Sequence, residues 1–201
     1  MIYNSYMIED IFKVPLFKTT LDLNNKLIKK ACYQEQKKSK GVSLSNLTGW
    51  QSEPLAWTNK TFIPLYDAIL EQGRIFASLL SIKNNLQINN IWININEYKD
   101  ANNIHTHPHA LLSGVYYVST PKDCGDIVFL SSEYSNAFQH EWSKQIVETF
   151  NPYNSPEMNV VANSGDLLLF PNWLLHRVKP NLNKTEKRIS ISFNLGLMTK
   201  Y

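Results

Sequence analysis

Short apolar segments separated by turn residues fill the chain from residue 86 to its end, and this pattern most constrains the fold. In the first segment, LQINNIWININEYK, the side chains alternate between two faces, with Trp92, Asn94 and Asn96 on one and Ile91, Ile93 and Ile95 on the other. Seven further segments follow: LLSGVYYVST, DIVFLSS, KQIVETF, MNVVANS, GDLLLFP, LHRVKP and RISISFNLGLM. So many short strands predict a mainly β fold, an antiparallel sandwich or open barrel.

The first 85 residues carry the flanking elements. The segment VPLFKTTLDL predicts a short strand that ends at Asp22, a plausible helix N-cap, and residues at helical spacing follow it: Leu23, Leu27, Ala31 and Cys32. The segment FIPLYDAILEQGRIFASLL predicts a longer helix whose candidate buried face comprises Leu65, Ile69, Ile75, Phe76 and Leu79. Residues 40–60 between them are polar and turn-rich, and we predict a long structured loop there.

Length and composition indicate one domain over residues 1–201, with a strand, helices and a long loop in 1–85 and the β core in 86–201. The net charge is +3 and most basic residues are scattered, which argues against a nucleic-acid partner. No stretch approaches the roughly 18 apolar residues of a membrane helix, and the N-terminus does not resemble a signal peptide. Cys32 and Cys124 match no metal or redox spacing, so we expect free thiols and a cytoplasmic protein.

The segment NNIHTHPHALLSGVYYV holds three of the five histidines of the chain. On an extended backbone the side chains of His105 and His107 point the same way, and a distal candidate, His176, follows in GDLLLFPNWLLHRVKP. Three imidazoles suit iron, zinc, copper or nickel. We expect His109, after Pro108, to point elsewhere. Because a lone H-x-H is a weak signal, these histidines could instead satisfy only loop hydrogen bonds.

The last strand, RISISFNL, also alternates, and its polar face comprises Arg188, Ser190, Ser192 and Asn194. In a closed barrel this face would line the cavity, where an inward arginine suits a carboxylate through a bidentate pair. Tyr117 would bring a phenol to the same cavity. The alternatives are an edge strand with Arg188 in water and a core tyrosine with a satisfied hydroxyl.

Together these motifs resemble the non-haem iron(II), 2-oxoglutarate-dependent oxygenases. The closer similarity is to a subgroup, many of its members from bacteria and phages, that is related to prolyl hydroxylases. The shared cues run in order from about residue 45 to the C-terminus: SNLTGWQS, NIHTHPHALLSGVYYV, GDLLLFPNWLLHRV and RISISFN. This resemblance implies a double-stranded β-helix core, the jelly-roll or cupin-like fold, with flanking helices.

The resemblance also implies roles for single residues. His105, His107 and His176 would hold iron, and Arg188 with Ser190 would bind the C5 carboxylate of 2-oxoglutarate. Four further residues complete the expected cavity: Tyr117 as a cosubstrate-binding tyrosine, Asn194 as a cofactor contact, and Asn94 and Asn96 in its lining.

One position departs from the superfamily, because His107 stands where an aspartate or glutamate is usual. The H-x-H geometry favours His107 as the ligand, and Asp100 is the nearest upstream carboxylate that could replace it. A site of three histidines carries one negative charge less than the usual site.

The implied reaction uses Fe(II), 2-oxoglutarate and O2, gives succinate and CO2, and hydroxylates a C–H bond of a substrate. The sequence does not identify that substrate, which we expect to be a small molecule or a protein side chain, prolyl or other. If a phage encodes the chain, the host cytoplasm is the expected location. Two aromatic loops, carrying Trp50, Trp57 and Trp142, would face the substrate or cap the barrel core, and His140 would be a loop residue.

Two other classes of protein remain open. One is a cupin-like three-histidine metalloprotein that does not use 2-oxoglutarate, such as a thiol dioxygenase-type site, which has no need of Arg188. The other is a non-catalytic jelly-roll module whose histidines hold zinc or nothing.

Overall fold

A computed structural model gives the structure of the protein over residues 9, 13–56, 59–131 and 147–198. Two helices flank ten strands in this part of the chain. The elements are β1 (Phe17–Thr20), α1 (Asn25–Gln36), β2 (Trp50–Gln51), α2 (Ile63–Leu79), β3 (Leu86–Asn96), β4 (Asn102–His105), β5 (Leu112–Ser119), β6 (Ile127–Leu130), β7 (Glu157–Val160), β8 (Asp166–Pro171), β9 (His176–Val178) and β10 (Arg188–Leu197). The predicted mainly β architecture with flanking helices is confirmed.

The strands form two antiparallel sheets. The larger sheet has six strands in the order β1-β8-β5-β10-β3-β2, and the smaller has four in the order β4-β9-β6-β7. Side chains of both sheets, among them Val115, Phe129 and Leu168, share one small apolar cluster. The two sheets therefore pack face to face, as in a jelly roll.

The alternation predicted for β3 and β10 is confirmed. Ile189, Ile191 and Phe193 are fully buried on the outer face of the larger sheet, where they join a cluster with residues of α1 and α2. On the inner face, Ser190 lies opposite Asn94 of β3 and opposite Tyr117 of β5. The helices therefore cover one face of the sheet, and the polar face is directed toward the smaller sheet.

The predicted buried face of α2 is only partly right. Leu65, Ile69 and Phe76 are buried, but Ile75 and Leu79 are 43% and 70% exposed. The inward stripe of the helix includes Gly73, where a Cβ atom would lie 2.5 Å from Cδ1 of Leu195. Because glycine gives no hydrophobic signal, the sequence pattern placed the stripe too far round the helix.

Helix α1 begins later than predicted. The N-cap is Asn24, whose side chain accepts a hydrogen bond from the backbone of Leu27 (3.2 Å), so the assignment of Asp22 was wrong. Ala31 and Cys32 are buried as expected, whereas Leu27 is 56% exposed.

Two other segments differ from the prediction or refine it. Residues 147–150, the described part of KQIVETF, form no strand. The long loop at 40–60 is largely irregular but contains the short strand β2, which pairs with β3. Neither α1 nor α2, the helices of the described chain, has the length and apolar character needed to cross a membrane.

Candidate functional site

Three histidines meet between the sheets. His105 ends β4, His176 begins β9, and these two residues are direct partners in the antiparallel ladder. His107 lies two residues beyond β4, and its Nε2 atom is 3.2 Å from Nε2 of His176. The potential ligand atoms of the three residues all lie within 4.8 Å of one another, and within the described segments they are the one such group that could hold a metal ion.

Backbone carbonyls fix the tautomers of two of these rings. Nδ1 of His105 is 2.8 Å from the carbonyl oxygen of Asn103, and Nδ1 of His176 is 2.8 Å from that of Leu174. Because a carbonyl oxygen only accepts, each Nδ1 carries the proton and each Nε2 keeps its lone pair. The same arrangement orients histidines that bind metals in other proteins.

The surroundings keep all three rings neutral. Burial lowers the pKa of His105, and it lowers the pKa of His107 to about 4, with the charge of His105 adding to the effect. Burial likewise lowers the pKa of His176 to about 3. Neutral imidazole is the form that binds a metal ion, so the site is ready to bind one at neutral pH.

Aromatic rings surround the histidines. The ring centroid of Trp92 is 5.8 Å from that of His107, and the centroid of Phe170 is 4.8 Å from that of His176. Both rings also line a cavity between the sheets, whose lining further includes Asn94, Tyr117, Arg188, Ser190 and Ser192.

Arg188 is a buried cation at this cavity. Its side chain is 1% exposed, and Nη1 donates to the carbonyl oxygens of Cys124 (2.9 Å), Gly125 (3.2 Å) and Lys179 (3.2 Å). No acidic side chain of the described residues forms an ion pair with it. Burial lowers the pKa of Arg188, but a guanidinium stays protonated in proteins. The cavity therefore contains a positive charge for which an anionic ligand is the natural partner.

The neighbouring residues Tyr116 and Tyr117 point in opposite directions. Tyr117 is buried in the inner cluster and lines the cavity, and burial raises its pKa. Tyr116 lies in the outer core, where its hydroxyl donates to Oδ1 of Asn25 (2.7 Å). Both tyrosines are therefore packed residues, and only Tyr117 is positioned to contact a ligand.

Asn194 and Asn94 occupy different parts of the inner face. Asn194 accepts a hydrogen bond from Ser113 (2.8 Å) and does not line the cavity. Asn94 does line it, with Nδ2 donating to Ser192 (3.0 Å) and Oδ1 buried without a partner among the described residues. Of these two expected contacts, the structure brings only Asn94 to the histidines.

Sequence reasoning missed two polar cavity residues, Ser45 and Asn102. Asn102 precedes the first metal candidate by three positions, but Ser45 arrives from a distant loop. That loop is attached to β4 by an isolated bridge between Asn46 and Asn102 and by a bond from Asn103 N to Ser45 O (2.8 Å). In the sequence, the motif SNLTGWQS was the one sign that this loop contributes to the functional site.

The other candidates that the structure describes do not belong to the histidine cluster. Asp100 accepts a hydrogen bond from the backbone of Glu97 (2.7 Å) and does not belong to the cluster, so His107 supplies the third imidazole. His109 is exposed. Trp50 packs against the outer core and donates to the carbonyl of Ser39 (3.2 Å), which places it on the face opposite the histidines. Trp57, Trp142 and His140 lie outside the described residues.

Comparison with known proteins agrees with the oxygenase resemblance of the sequence motifs. A family model described as "Putative 2OG-Fe(II) oxygenase" matches residues 90–194, which contain all three histidines and Arg188. No sequence among the curated proteins matches the chain.

Three solved structures illustrate the similarity in fold. The chain is similar to the non-haem α-ketoglutarate-dependent epimerase SnoN from nogalamycin biosynthesis (TM-score 0.65, 14% identity, covering 92% of this chain and 80% of that one). It is similar to a prolyl-4-hydroxylase from Pseudomonas putida (TM-score 0.63, 13% identity, 92% and 94% covered). A third is HygX from Streptomyces hygroscopicus, solved with nickel and 2-oxoglutarate bound (TM-score 0.58, 12% identity, 92% and 84% covered).

Proposed function

The chain belongs to the 2OG-Fe(II) oxygenase family, whose cofactors are Fe(II), 2-oxoglutarate and O2, and we propose that it hydroxylates a C–H bond of a small-molecule or protein substrate. The balanced reaction is R–H with 2-oxoglutarate and O2 giving R–OH, succinate and CO2. The prolyl-4-hydroxylase in the structural comparison supports a prolyl or other protein side chain as one candidate substrate.

The donor set of the chain fits a divalent metal ion. Two nitrogen ligands about 2.1 Å from one ion and at right angles to each other lie about 3.0 Å apart. The 3.2 Å between Nε2 of His107 and Nε2 of His176 is close to that separation. Both rings are neutral, and without a cation or proton between them their lone pairs would repel. His105, His107 and His176 are therefore the proposed metal ligands.

The cosubstrate would bind beside these ligands. We assign its C5 carboxylate to the free nitrogens of Arg188, since only Nη1 is engaged with backbone carbonyls. The hydroxyls of Ser190 and Tyr117 line the same cavity and can donate to the carboxylate. An anion here would compensate a buried charge that forms no ion pair with an acidic side chain of the described residues, which favours binding beyond the bonds themselves.

The protein residues hold and shield the reactants. Bound Fe(II) would supply the site at which dioxygen is reduced while 2-oxoglutarate is oxidised. The residues of the chain would orient the cosubstrate through Arg188, and Trp92 and Phe170 would pack against the ligand rings. Asn194, expected as a cofactor contact, has no role in this proposal because it does not line the cavity.

One observation carries the proposal, namely that a neutral histidine triad and a buried arginine with no ion pair to a described acidic side chain line the same cavity. A three-histidine metalloprotein of another kind needs no such arginine, and a zinc-holding binding module needs neither the arginine nor an open cavity.

The test is an anaerobic titration of the metal-free protein with Fe(II) and then 2-oxoglutarate, in which the visible charge-transfer band of the chelate is recorded. Formation of the band supports the proposal. Binding of iron without the band would indicate an oxygenase that does not use 2-oxoglutarate, and absence of metal binding would favour the binding module.

A further inference from the structure

The three histidines are not oriented in the same way. In His105 and in His176, Nδ1 donates to the carbonyl of the residue two positions earlier, at 2.8 Å in each case. Within the described residues, the Nδ1 atom of His107 has no such acceptor, and its ring interacts with the rings of Trp92, Phe170 and the other two histidines. The Nδ1 hydrogen bond that orients the other two rings is therefore missing at His107 in this part of the chain.

His107 also lies outside regular structure. Strand β4 ends two residues earlier, so no sheet ladder fixes its backbone. The next residues form a turn in which His109 has a left-handed backbone (φ 70°), and Ala110 N donates to the carbonyl of His107 at the long distance of 3.4 Å. The loop alone is a weak support for a metal ligand.

Asn172 contacts the backbone of His107 through two hydrogen bonds. Its carbonyl accepts from the N–H of His107 (3.0 Å), and its Nδ2 donates to the carbonyl of His107 (3.2 Å). Its own N–H donates to the carbonyl of Leu111 at the far end of the same loop (3.4 Å). Three hydrogen bonds thus attach the loop from His107 to Leu111 to one residue, Asn172.

The place of Asn172 in the chain links two ligands. It directly follows Pro171, the last residue of β8, and a tight turn closed by Leu174 N and Pro171 O (3.0 Å) leads from it to His176. The carbonyl of Leu174 in that turn also orients the His176 ring. The same short segment therefore positions the backbone of one histidine and the ring of another.

We propose that Asn172 is a positioning residue that sets the separation of His107 and His176 for metal binding. The inference rests on the proposed role of His107 as a ligand. The side-chain amide compensates for the missing Nδ1 hydrogen bond, because it fixes the backbone from which the imidazole extends. Outer partners that orient metal ligands typically change metal affinity by 10–100-fold when removed.

The test uses Co(II) as a spectroscopic probe of the full-length protein. Asn172→Ala and the near-isosteric Asn172→Asp both remove the Nδ2 donor and leave the backbone bonds possible. We expect each to weaken Co(II) binding about tenfold, the lower end of the range for outer partners, and to shift the visible d–d bands. A merely structural residue would change the melting temperature without changing the bands.

Two further variants separate a failure of the positioning role from a failure of the ligand set. Asn183→Ala, the matched control, removes a side chain that also joins two loops, donating to the carbonyl of Lys122 (3.0 Å) far from the histidines. It should leave both affinity and bands unchanged. His107→Ala tests the premise: if it binds Co(II) as the wild type does, the ligand set itself fails. If His107→Ala binds weakly but both Asn172 variants bind normally, only the positioning role is overturned.

Discussion

His107 and His176 approach each other to 3.2 Å between their Nε2 atoms, although 69 positions separate them in the chain. One comes from a loop after β4 and the other from the first residue of β9. The position occupied by His107 is one where related oxygenases use a carboxylate, so an ion held here would keep more of its positive charge. Substitutions at position 107 can test the effect of a histidine in place of a carboxylate.

Replacing His107 tests the composition of the ligand set. We expect His107→Ala to weaken Fe(II) binding by more than the 10–100-fold typical of an outer-shell change, because a direct ligand is lost. His107→Asp should retain Fe(II) binding, since a carboxylate is also a ligand for this ion. Anaerobic equilibrium titration measures both. His109→Ala, which changes an exposed neighbour, is the control, and equal affinities for His107→Ala and the wild type would contradict the assignment.

Replacing Arg188 tests the cosubstrate site. Arg188→Lys keeps the charge but loses the planar fork, and we expect the affinity for 2-oxoglutarate to fall by about 2 kcal/mol, roughly 30-fold. Fe(II) affinity should not change. Titration of the iron-loaded protein with 2-oxoglutarate measures the effect through the chelate band. Arg177→Lys is the matched control because this neighbouring arginine is paired with Glu157 (2.8 Å) and lies outside the cavity wall. An equal loss in both variants would argue against a specific role for Arg188.

The sequence predicted the strand faces well because the signal is local. The alternation around Trp92 and Asn94 in β3 needs only a period of two residues, and the structure reproduces it. The helix α2 was harder, since its inward stripe contains Gly73 and a glycine has no hydrophobic side chain to reveal the packing against Leu195.

The site could be predicted only as far as side-chain chemistry reveals it. The motifs identified the histidines and Arg188 as candidates, but the ladder pairing of His105 with His176 depends on a register between distant strands. The backbone carbonyls that hold Arg188, from Cys124, Gly125 and Lys179, have no sequence signature at all, because every residue has a carbonyl. Asn172 was missed for a related reason: its partners are backbone atoms of a loop.

The lowered pKa values of His107 and His176 predict how the stability of the metal-free protein depends on pH. The folded-state pKa is about 4 for His107 and about 3 for His176, below the ordinary value of 6.5. As pH falls below 6.5, the unfolded chain binds protons that the folded chain does not, so the free energy of unfolding falls until the folded-state pKa values are reached. Denaturant unfolding at pH 7.5 and pH 5.0 measures this loss.

A double variant isolates the contribution of these two rings from that of the carboxylates. In His107→Asn with His176→Asn the loss of stability between the two pH values should be smaller than in the wild type, because neither ring remains to be protonated. His109→Asn should behave as the wild type does. An unchanged loss in the double variant would mean that other groups cause the acid sensitivity.

The hydrogen bonds of Asn181 predict a stability effect at the junction between β3 and the turn before β10. Its side chain is fully buried, and Nδ2 donates to the carbonyls of Asn96 (3.0 Å) and Glu186 (3.1 Å), so it joins the end of β3 to the turn before β10. Asn181→Ala leaves both carbonyls without this donor, and we expect a loss of about 2–3 kcal/mol in the free energy of unfolding. For a domain of this size that is a fall of roughly 4–12 °C in melting temperature, measurable by calorimetry.

Asn151→Ala is the control for this prediction. The Asn151 side chain makes a turn hydrogen bond as well, accepting from the backbone of Tyr153 (2.8 Å), but it is exposed. The loss of stability in Asn151→Ala should therefore stay well below that in Asn181→Ala. Equal losses in the two variants would show that burial of the Asn181 amide adds nothing to an ordinary turn contact.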